Sequence, residues 1–378
     1  MNVIFTCGGT GGHINPAIAV ANVWKEKHPD SKILFIGAVG GMEEELVPKA
    51  GYELVTLPGG GLSRSLSIQG IKKNIKVLRQ LMTSVKKCKQ LIREFNADVV
   101  MGTGGYASFP ALMAAGLMKI PCCVHESNAV PGVTTRLAER FADIILVCFP
   151  QSVRYYKDKN KVQVVGMPVR SEFIYNNKQE CREELGMDSR PVILSAFGSQ
   201  GAKAMNEMTA ELLRLEKEAG YPFQHIHAVG SYGWEWMPKL VQQKGVELEG
   251  NKSVILKEYI YDMPTVMAAA DVVISRAGSS TCNEIAASGT PCILIPSPNV
   301  TANHQEKNAR ALQEQGAAVL LLEKDCTAEA VFTKIQELLE NKDAYEGMSK
   351  NLLGMAVPDS AERLCDVMQK LIDRKTSR

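Results

Sequence analysis

Short, unbroken apolar runs recur along the chain and alternate with longer stretches of helical character. NVIFTC (2–7), KILFIG (32–37), ADVVMG (97–102), PCCVHE (121–126) and DIILVC (143–148) lack the apolar–polar alternation of a strand with one wet face. They read as strands buried on both faces, as in a parallel sheet covered by helices. Pro16–His28 and Ser108–Met118 read as the intervening helices, so the series is βαβ. The rhythm pauses at VGMPVRSEF (165–173) and in the polar stretch 176–191, then restarts with PVILSAFGSQG, HIHAVG, SVILKEY, DVVISRAG, PCILIP and AAVLLL. This predicts an α/β protein of two doubly wound, Rossmann-like domains, residues 1–167 and 168–357. The closing helix, 358–378, could belong to either domain and could pack back onto the first. Two such domains would face each other across a cleft, with ligand at the carboxyl ends of the strands.

Composition narrows the classes. A chain of 378 residues is too long for one compact core and suits two domains. With 45% hydrophobic and 22% charged residues it reads as globular, and a net charge of +2 gives no reason to expect nucleic acid as a partner. The first residues enter a strand without a basic leader, and no apolar run approaches the roughly 18–20 residues of a membrane span. A cytosolic protein is therefore expected. The ten cysteines form no C-x-x-C pair and no zinc-like spacing, which suggests reduced, buried thiols.

Three strands run into glycine turns: CGGTGGH (7–13), MGTGGYASFP (101–110) and AFGSQGAKA (196–204). Glycine lets backbone approach a ligand, and the helix behind each turn offers unpaired N–H groups to phosphate or sugar. The plainer alternative is that these are tight strand-to-helix connections. None is a P-loop, GGTGGH is not a G-x-G-x-x-G fingerprint, and the second strand lacks the following acidic residue of nicotinamide enzymes. A dinucleotide-dependent oxidoreductase thus stays only as an alternative.

SRAGSSTCNE (275–284) ends a strand, turns on glycine and opens a helix near Ser279. Ser279, Ser280 and Thr281 are N-cap candidates, and Glu284, one turn in, could accept two hydrogen bonds from a ribose diol. The competing reading is a capping box, with Ser280 or Thr281 as the cap and Glu284 near the third helical position. NVTANHQEKNA (299–309) places Asn303, His304 and Gln305 at another helix start, all suited to reading sugar hydroxyls.

Taken together, GGTGGHINPA, HESNAVPG, VGMPVR, FGSQGA, SRAGSSTCNE and NHQEKNA occur in the order and spacing of the MurG family of N-acetylglucosaminyltransferases. The chain resembles that family over nearly its whole length, although GGTGGH alone is shared with enzymes that glycosylate other lipids. The resemblance implies a GT-B fold of two Rossmann-like domains. It implies inverting transfer of N-acetylglucosamine from UDP-N-acetylglucosamine to undecaprenyl-diphosphate-N-acetylmuramoyl-pentapeptide, in the peptidoglycan synthesis that underlies cell-wall biogenesis, cell shape and cell division. The C-terminal domain would bind the donor and the N-terminal domain the acceptor, peripherally at the cytoplasmic face of the membrane. A transferase acting on another glycolipid is the nearest competitor.

Matched by motif, Thr10, Gly11, Gly12, Asn128 and Arg170 would contact the donor, and Ser199 its diphosphate. The backbone at Ile260 would read the uracil edge. Ser279, Ser280 and Thr281 would surround the nucleoside, with Glu284 on the ribose and Gln305 on the sugar hydroxyls.

Transfer requires a base for the acceptor hydroxyl and a counter-charge for the leaving diphosphate. His13 is the first candidate base, because an imidazole titrates near pH ~6.5. His125, at a strand end, is the alternative. His13 could instead pack the loop or bind acceptor phosphate, and His28 and His225 read as structural. No D-x-D motif is present, so no metal and no other cofactor is expected. Helix N-termini with Arg170 would offset the diphosphate charge.

From Glu53 to Glu94 the chain has no acidic residue between these two. Ile68, Ile71, Ile75, Leu78, Met82 and Val85 recur at helical steps among Lys72, Lys73, Lys76, Arg79, Lys86, Lys87, Lys89 and Arg93. The plain reading is a covering helix with solvated lysines. The one-sided charge favours reversible docking on an anionic membrane through Lys72, Lys73, Ile75, Lys76 and Arg79.

Overall fold

The computed structural model describes residues 1–58 and 68–376; the side chains of 68–78, 301 and 375–376 lie outside the described residues. The chain divides into two compact units, Met1–Val169 with Asp359–Arg378, and Arg170–Pro358.

The first unit holds a seven-stranded sheet of β1 (Asn2–Thr6), β2 (Lys32–Ala38), β3 (Glu53–Leu57), β4 (Val99–Gly102), β5 (Cys122–Glu126), β6 (Ile144–Val147) and β7 (Val162–Val164). The strand order is β3-β2-β1-β4-β5-β6-β7, and every pairing is parallel. The unbroken apolar runs have a direct cause. Successive side chains point to opposite faces of the sheet, and both faces are covered. Val3, Phe5 and Met101 pack with Ile14, Val20 and Trp24 of the helix Gly11–Lys27 and with Leu364 and Met368 of the closing helix Ser360–Thr376. Ile4, Val100 and Val124 pack on the other side with Val85, Cys88 and Ile92 of the helix Ile68–Glu94 and with Ala111 and Leu112 of the helix Ser108–Leu117. The closing helix is tied to the first helix by a Lys27–Asp366 ion pair of 3.0 Å.

The second unit holds β8 (Val192–Ala196), β9 (Gln224–Ala228), β10 (Val254–Lys257), β11 (Val272–Ser275), β12 (Cys292–Leu294) and β13 (Val319–Leu320), in the order β10-β9-β8-β11-β12-β13 and again parallel. Both sheets are therefore doubly wound and Rossmann-like. The winding reverses between β1 and β4 in the first unit and between β8 and β11 in the second. Parallel pairing brings all strand carboxyl ends of a sheet to one edge, and the reversal parts the loops there. None of the ten cysteines is in a disulfide; nine are buried and Cys326 is half-buried.

Candidate active site

Each reversal point is lined by the glycine turns. In the first unit Gly8, Gly9 and Thr10 leave β1, and Thr10 caps the helix Gly11–Lys27 in extended conformation without a side-chain bond. The helix starts five residues before the expected Pro16, which lies inside it. Pro16 has no N–H, so the Gly12 carbonyl stands outside the helical ladder. The loop after β4 packs directly on this turn. A Cβ on Gly105 (φ +81°) would lie 2.2 Å from the Gly8 carbonyl oxygen, and one on Gly104 (φ +108°) 2.7 Å from His13 Nδ1. Only glycine permits that approach.

His13 is clamped between the two loops. Its Nδ1 lies 2.9 Å from the Thr103 carbonyl oxygen, and Thr103 Oγ1 donates to the His13 carbonyl at 2.6 Å. A carbonyl only accepts, so Nδ1 carries a proton, and in the neutral form of the ring the lone pair is on Nε2. That is the tautomer a general base needs at its outer nitrogen.

His125 does not line the ligand edge, which corrects the reading of it as an alternative base. It is fully buried, Nε2–H donates to the Gly166 carbonyl at 2.8 Å, and burial pushes its pKa down. A sealed, neutral imidazole cannot reach an acceptor hydroxyl.

Two glutamates beneath these loops escaped the sequence reading. Glu43 is fully buried; its carboxylate accepts from Ala38 N–H at 2.7 Å and from Gly9 N–H at 3.1 Å, holding the first turn from below. Glu126 accepts from the backbone and side chain of Asn128 at 2.9 and 3.0 Å, from Gly132 N–H at 2.9 Å, and from Thr135 Oγ1. Asn128 is thus oriented by the strand end it follows. Local patterning carries no sign of either role beyond acidic residues near glycine.

In the second unit the turn Phe197–Ala202 opens the helix Lys203–Glu218, with Gly198 at φ +97° and Gly201 at φ +76°. Ser199 is exposed on it. Across the reversal point, Gly278 caps the helix Ser279–Ser288 through its backbone, with no side-chain cap bond. This corrects both the N-cap assignment of Ser279, Ser280 and Thr281 and the capping box. Glu284 is the sixth helical residue and cannot reach back to an N-cap. Ser280 Oγ is buried and has no hydrogen-bond partner among the described residues.

Glu284 is half-buried and makes no hydrogen bond among the described residues. Burial pushes its pKa up to about 7, opposed by the charge of Arg170. Arg170 itself lies over the Phe173 ring at 5.2 Å. Gln305 Oε1 accepts from Ser297 N–H at 2.9 Å, which turns its NH₂ into the donor end. Ile260 is buried between exposed Tyr259 and Tyr261 in the loop beyond β10.

Thr10, Gly11, Gly12 and His13 therefore gather at the edge of the first sheet. Ser199, Ile260, Ser279, Ser280, Thr281, Glu284 and Gln305 lie on loops and helix starts at the carboxyl edge of the second. Of the membrane group, Arg79 is exposed on the helix Ile68–Glu94, while the side chains of Lys72, Lys73, Ile75 and Lys76 lie outside the described residues.

Residues 3–147 match the glycosyltransferase family 28 N-terminal domain, and residues 192–364 match the glycosyltransferase family 28 C-terminal domain. A UDP-N-acetylglucosamine–N-acetylmuramyl-(pentapeptide) pyrophosphoryl-undecaprenol N-acetylglucosamine transferase of Caldanaerobacter subterraneus subsp. tengcongensis is 40% identical over 98% of this chain and 100% of its own length. A transferase of the same description from Acetivibrio thermocellus is 37% identical over 100% of both chains. The crystal structure of Acinetobacter baumannii MurG superposes with a TM-score of 0.77 at 26% identity, covering 98% of this chain and 99% of that one. These likenesses set aside the oxidoreductase alternative and place the two Rossmann-like domains in the GT-B class. The chain belongs to the MurG family of N-acetylglucosaminyltransferases, within glycosyltransferase family 28.

Proposed function

We propose that this glycosyltransferase moves N-acetylglucosamine from UDP-N-acetylglucosamine to undecaprenyl-diphosphate-linked N-acetylmuramoyl-pentapeptide, working peripherally at the cytoplasmic face of the membrane. The observation that carries the chemistry is the clamped His13, with Nδ1–H given to Thr103 and the lone pair on Nε2. In this reading Nε2 takes the proton of the acceptor hydroxyl as its oxygen attacks the anomeric carbon. The bond from that carbon to the diphosphate oxygen breaks with inversion, and UDP leaves. The N-termini of the helices Lys203–Glu218 and Ser279–Ser288, with Arg170, offset the charge that grows on the diphosphate. Glu284 receives the ribose diol, Ile260 the uracil edge, and Gln305 the sugar.

Among the described residues no helix is long and apolar enough to cross a membrane. The lipid-linked acceptor would then be met through the basic helix Ile68–Glu94, where Arg79 is exposed. The deciding experiment is transfer of labelled N-acetylglucosamine by the purified protein. A muramoyl-pentapeptide lipid analogue should be glycosylated, and a diacylglycerol acceptor should not. The reverse preference would reassign the enzyme to another glycolipid.

A further inference from the structure

Behind the Phe197–Ala202 turn, the second unit buries a continuous chain of polar side chains. Ser195 on β8, His225 and His227 on β9, and Asn206 and Glu216 on the helix Lys203–Glu218 are at most 1% exposed. Ser195 Oγ lies 2.7 Å from both His225 Nε2 and His227 Nδ1. His225 Nδ1 is 2.7 Å from Glu216 Oε1, and His227 Nε2 is 3.2 Å from Asn206 Oδ1. The chain ends where Asn206 Nδ2 donates to the Val229 carbonyl at 2.9 Å. Burying five polar groups is costly unless their bonds are met, and apolar residues would fill such a site at least as stably. The network is best understood by what it holds.

Its donors run in one direction. The Val229 carbonyl only accepts, so the Asn206 amide turns its oxygen to His227, whose Nε2 must carry hydrogen. Burial pushes the His227 pKa down to about 3, so the ring is neutral and Nδ1 accepts from the Ser195 hydroxyl. Ser195 in turn accepts from His225 Nε2–H, and one proton is shared between His225 Nδ1 and Glu216.

The held end lies under the turn that carries Ser199. A Cβ on Gly201 would lie 2.1 Å from the Val229 carbonyl oxygen, one on Gly230 2.1 Å from Gly201 N, and one on Gly233 2.3 Å from Asn206 Nδ2. Ser231 N–H donates to the Ser199 carbonyl at 3.3 Å, and Tyr232 N–H to the Gln200 carbonyl at 3.2 Å. Val229–Gly233 is thus the floor of the turn, and Asn206 fastens that floor to the helix behind it.

We propose that Asn206, seated by the His227–Ser195–His225–Glu216 chain, is a positioning residue for the diphosphate subsite. It sets the Val229–Gly230 floor and through it the backbone of Ser199, Gln200 and Gly201. The inference rests on the assignment of that turn to the donor diphosphate. Asn206 itself touches no ligand.

The test is calorimetric titration of UDP and of uridine into the wild type, Asn206→Asp and His227→Phe. Asn206→Asp keeps the shape and the acceptor for His227 but sets a carboxylate against the Val229 carbonyl. His227→Phe keeps a buried ring and removes the donor to Asn206. UDP Kd should rise tenfold or more in Asn206→Asp, and in the same direction in His227→Phe, while uridine Kd stays within twofold. Phosphate-dependent affinity retained in the folded variants, or equal loss for both ligands, overturns the proposal alone. If Asn206→Asp does not fold, His227→Phe decides. A wild type that binds UDP no more tightly than uridine overturns the diphosphate assignment and the proposal with it.

Discussion

Replacing Glu284 with glutamine tests two claims about one carboxyl, and they pull in opposite directions. The first is energetic. Its pKa stands at about 7 against an ordinary 4.5 because burial disfavours the charged form. Between those values the folded protein keeps a proton that the unfolded chain has released. Stability contributed by the neutral carboxyl is complete below pH 4.5 and is lost as pH rises through 7. At 1.36 kcal/mol per pH unit the gap corresponds to about 3 kcal/mol, an upper bound because part of the side chain remains reachable by water. Glutamine cannot ionise and escapes this cost. The ligand-free variant should therefore gain on the wild type by up to about 3 kcal/mol between pH 5 and pH 8 in urea unfolding.

The second claim is functional. A carboxylate accepting from a ribose diol contributes about 1.5–3 kcal/mol, so the same variant should bind uridine about 10–150-fold more weakly at pH 8. Uridine has no phosphate to titrate near neutrality. Its affinity for the wild type should fall about tenfold from pH 8 to pH 6, as the ionised fraction of a group at pKa 7 falls, and stay flat in Glu284→Gln. A wild type–variant stability difference independent of pH would refute the desolvation argument. Unchanged uridine binding would refute the ribose contact.

Three other outcomes are expected. His13→Ala should lower kcat about 10²–10⁴-fold with donor KM little changed; a loss confined to acceptor KM would make the imidazole a binding group instead. Gly104→Ala would place a methyl 2.7 Å from His13 Nδ1 at φ +108°, so kcat should fall at least tenfold while UDP affinity in titration is kept; wild-type turnover would show that the clamp does not set the ring. Reversing Lys72, Lys73, Lys76 and Arg79 to glutamate should abolish sedimentation with anionic vesicles and raise KM for membrane-embedded acceptor, whereas a soluble short-chain acceptor is still used; undiminished vesicle binding would return these residues to a solvated helix face.

Most of the architecture was legible because strands buried on both faces leave unbroken apolar runs that local reading detects. The two strands that escaped, β3 and β7, are the outer strands of the first sheet. Their partial exposure dilutes the apolar signal: Val164 of β7 is 41% exposed. The early start of the first helix was hidden for a related reason, since Gly11, Gly12 and His13 carry no apolar period. At Glu284 local chemistry left two readings open. Serine, threonine and glutamate at cap-like spacing suggested a capping box, but the chain turns into the helix at Gly278.

The glycine turns and His13 could be read from residue type and order alone, because bare backbone behind a strand leaves few uses. What orients them could not. The bond from Gly9 to Glu43 spans 34 residues and that from His13 to Thr103 spans 90. The network behind Ser199 joins residues on three elements, two of them strands that are neighbours only once the sheet has formed. Sequence determines which residues are able to bond or ionise. Whether a histidine is a base or a sealed core residue, and whether a glutamate is a surface charge or the floor of a loop, depends on burial and partners, which exist only when the fold brings distant segments within about 3 Å.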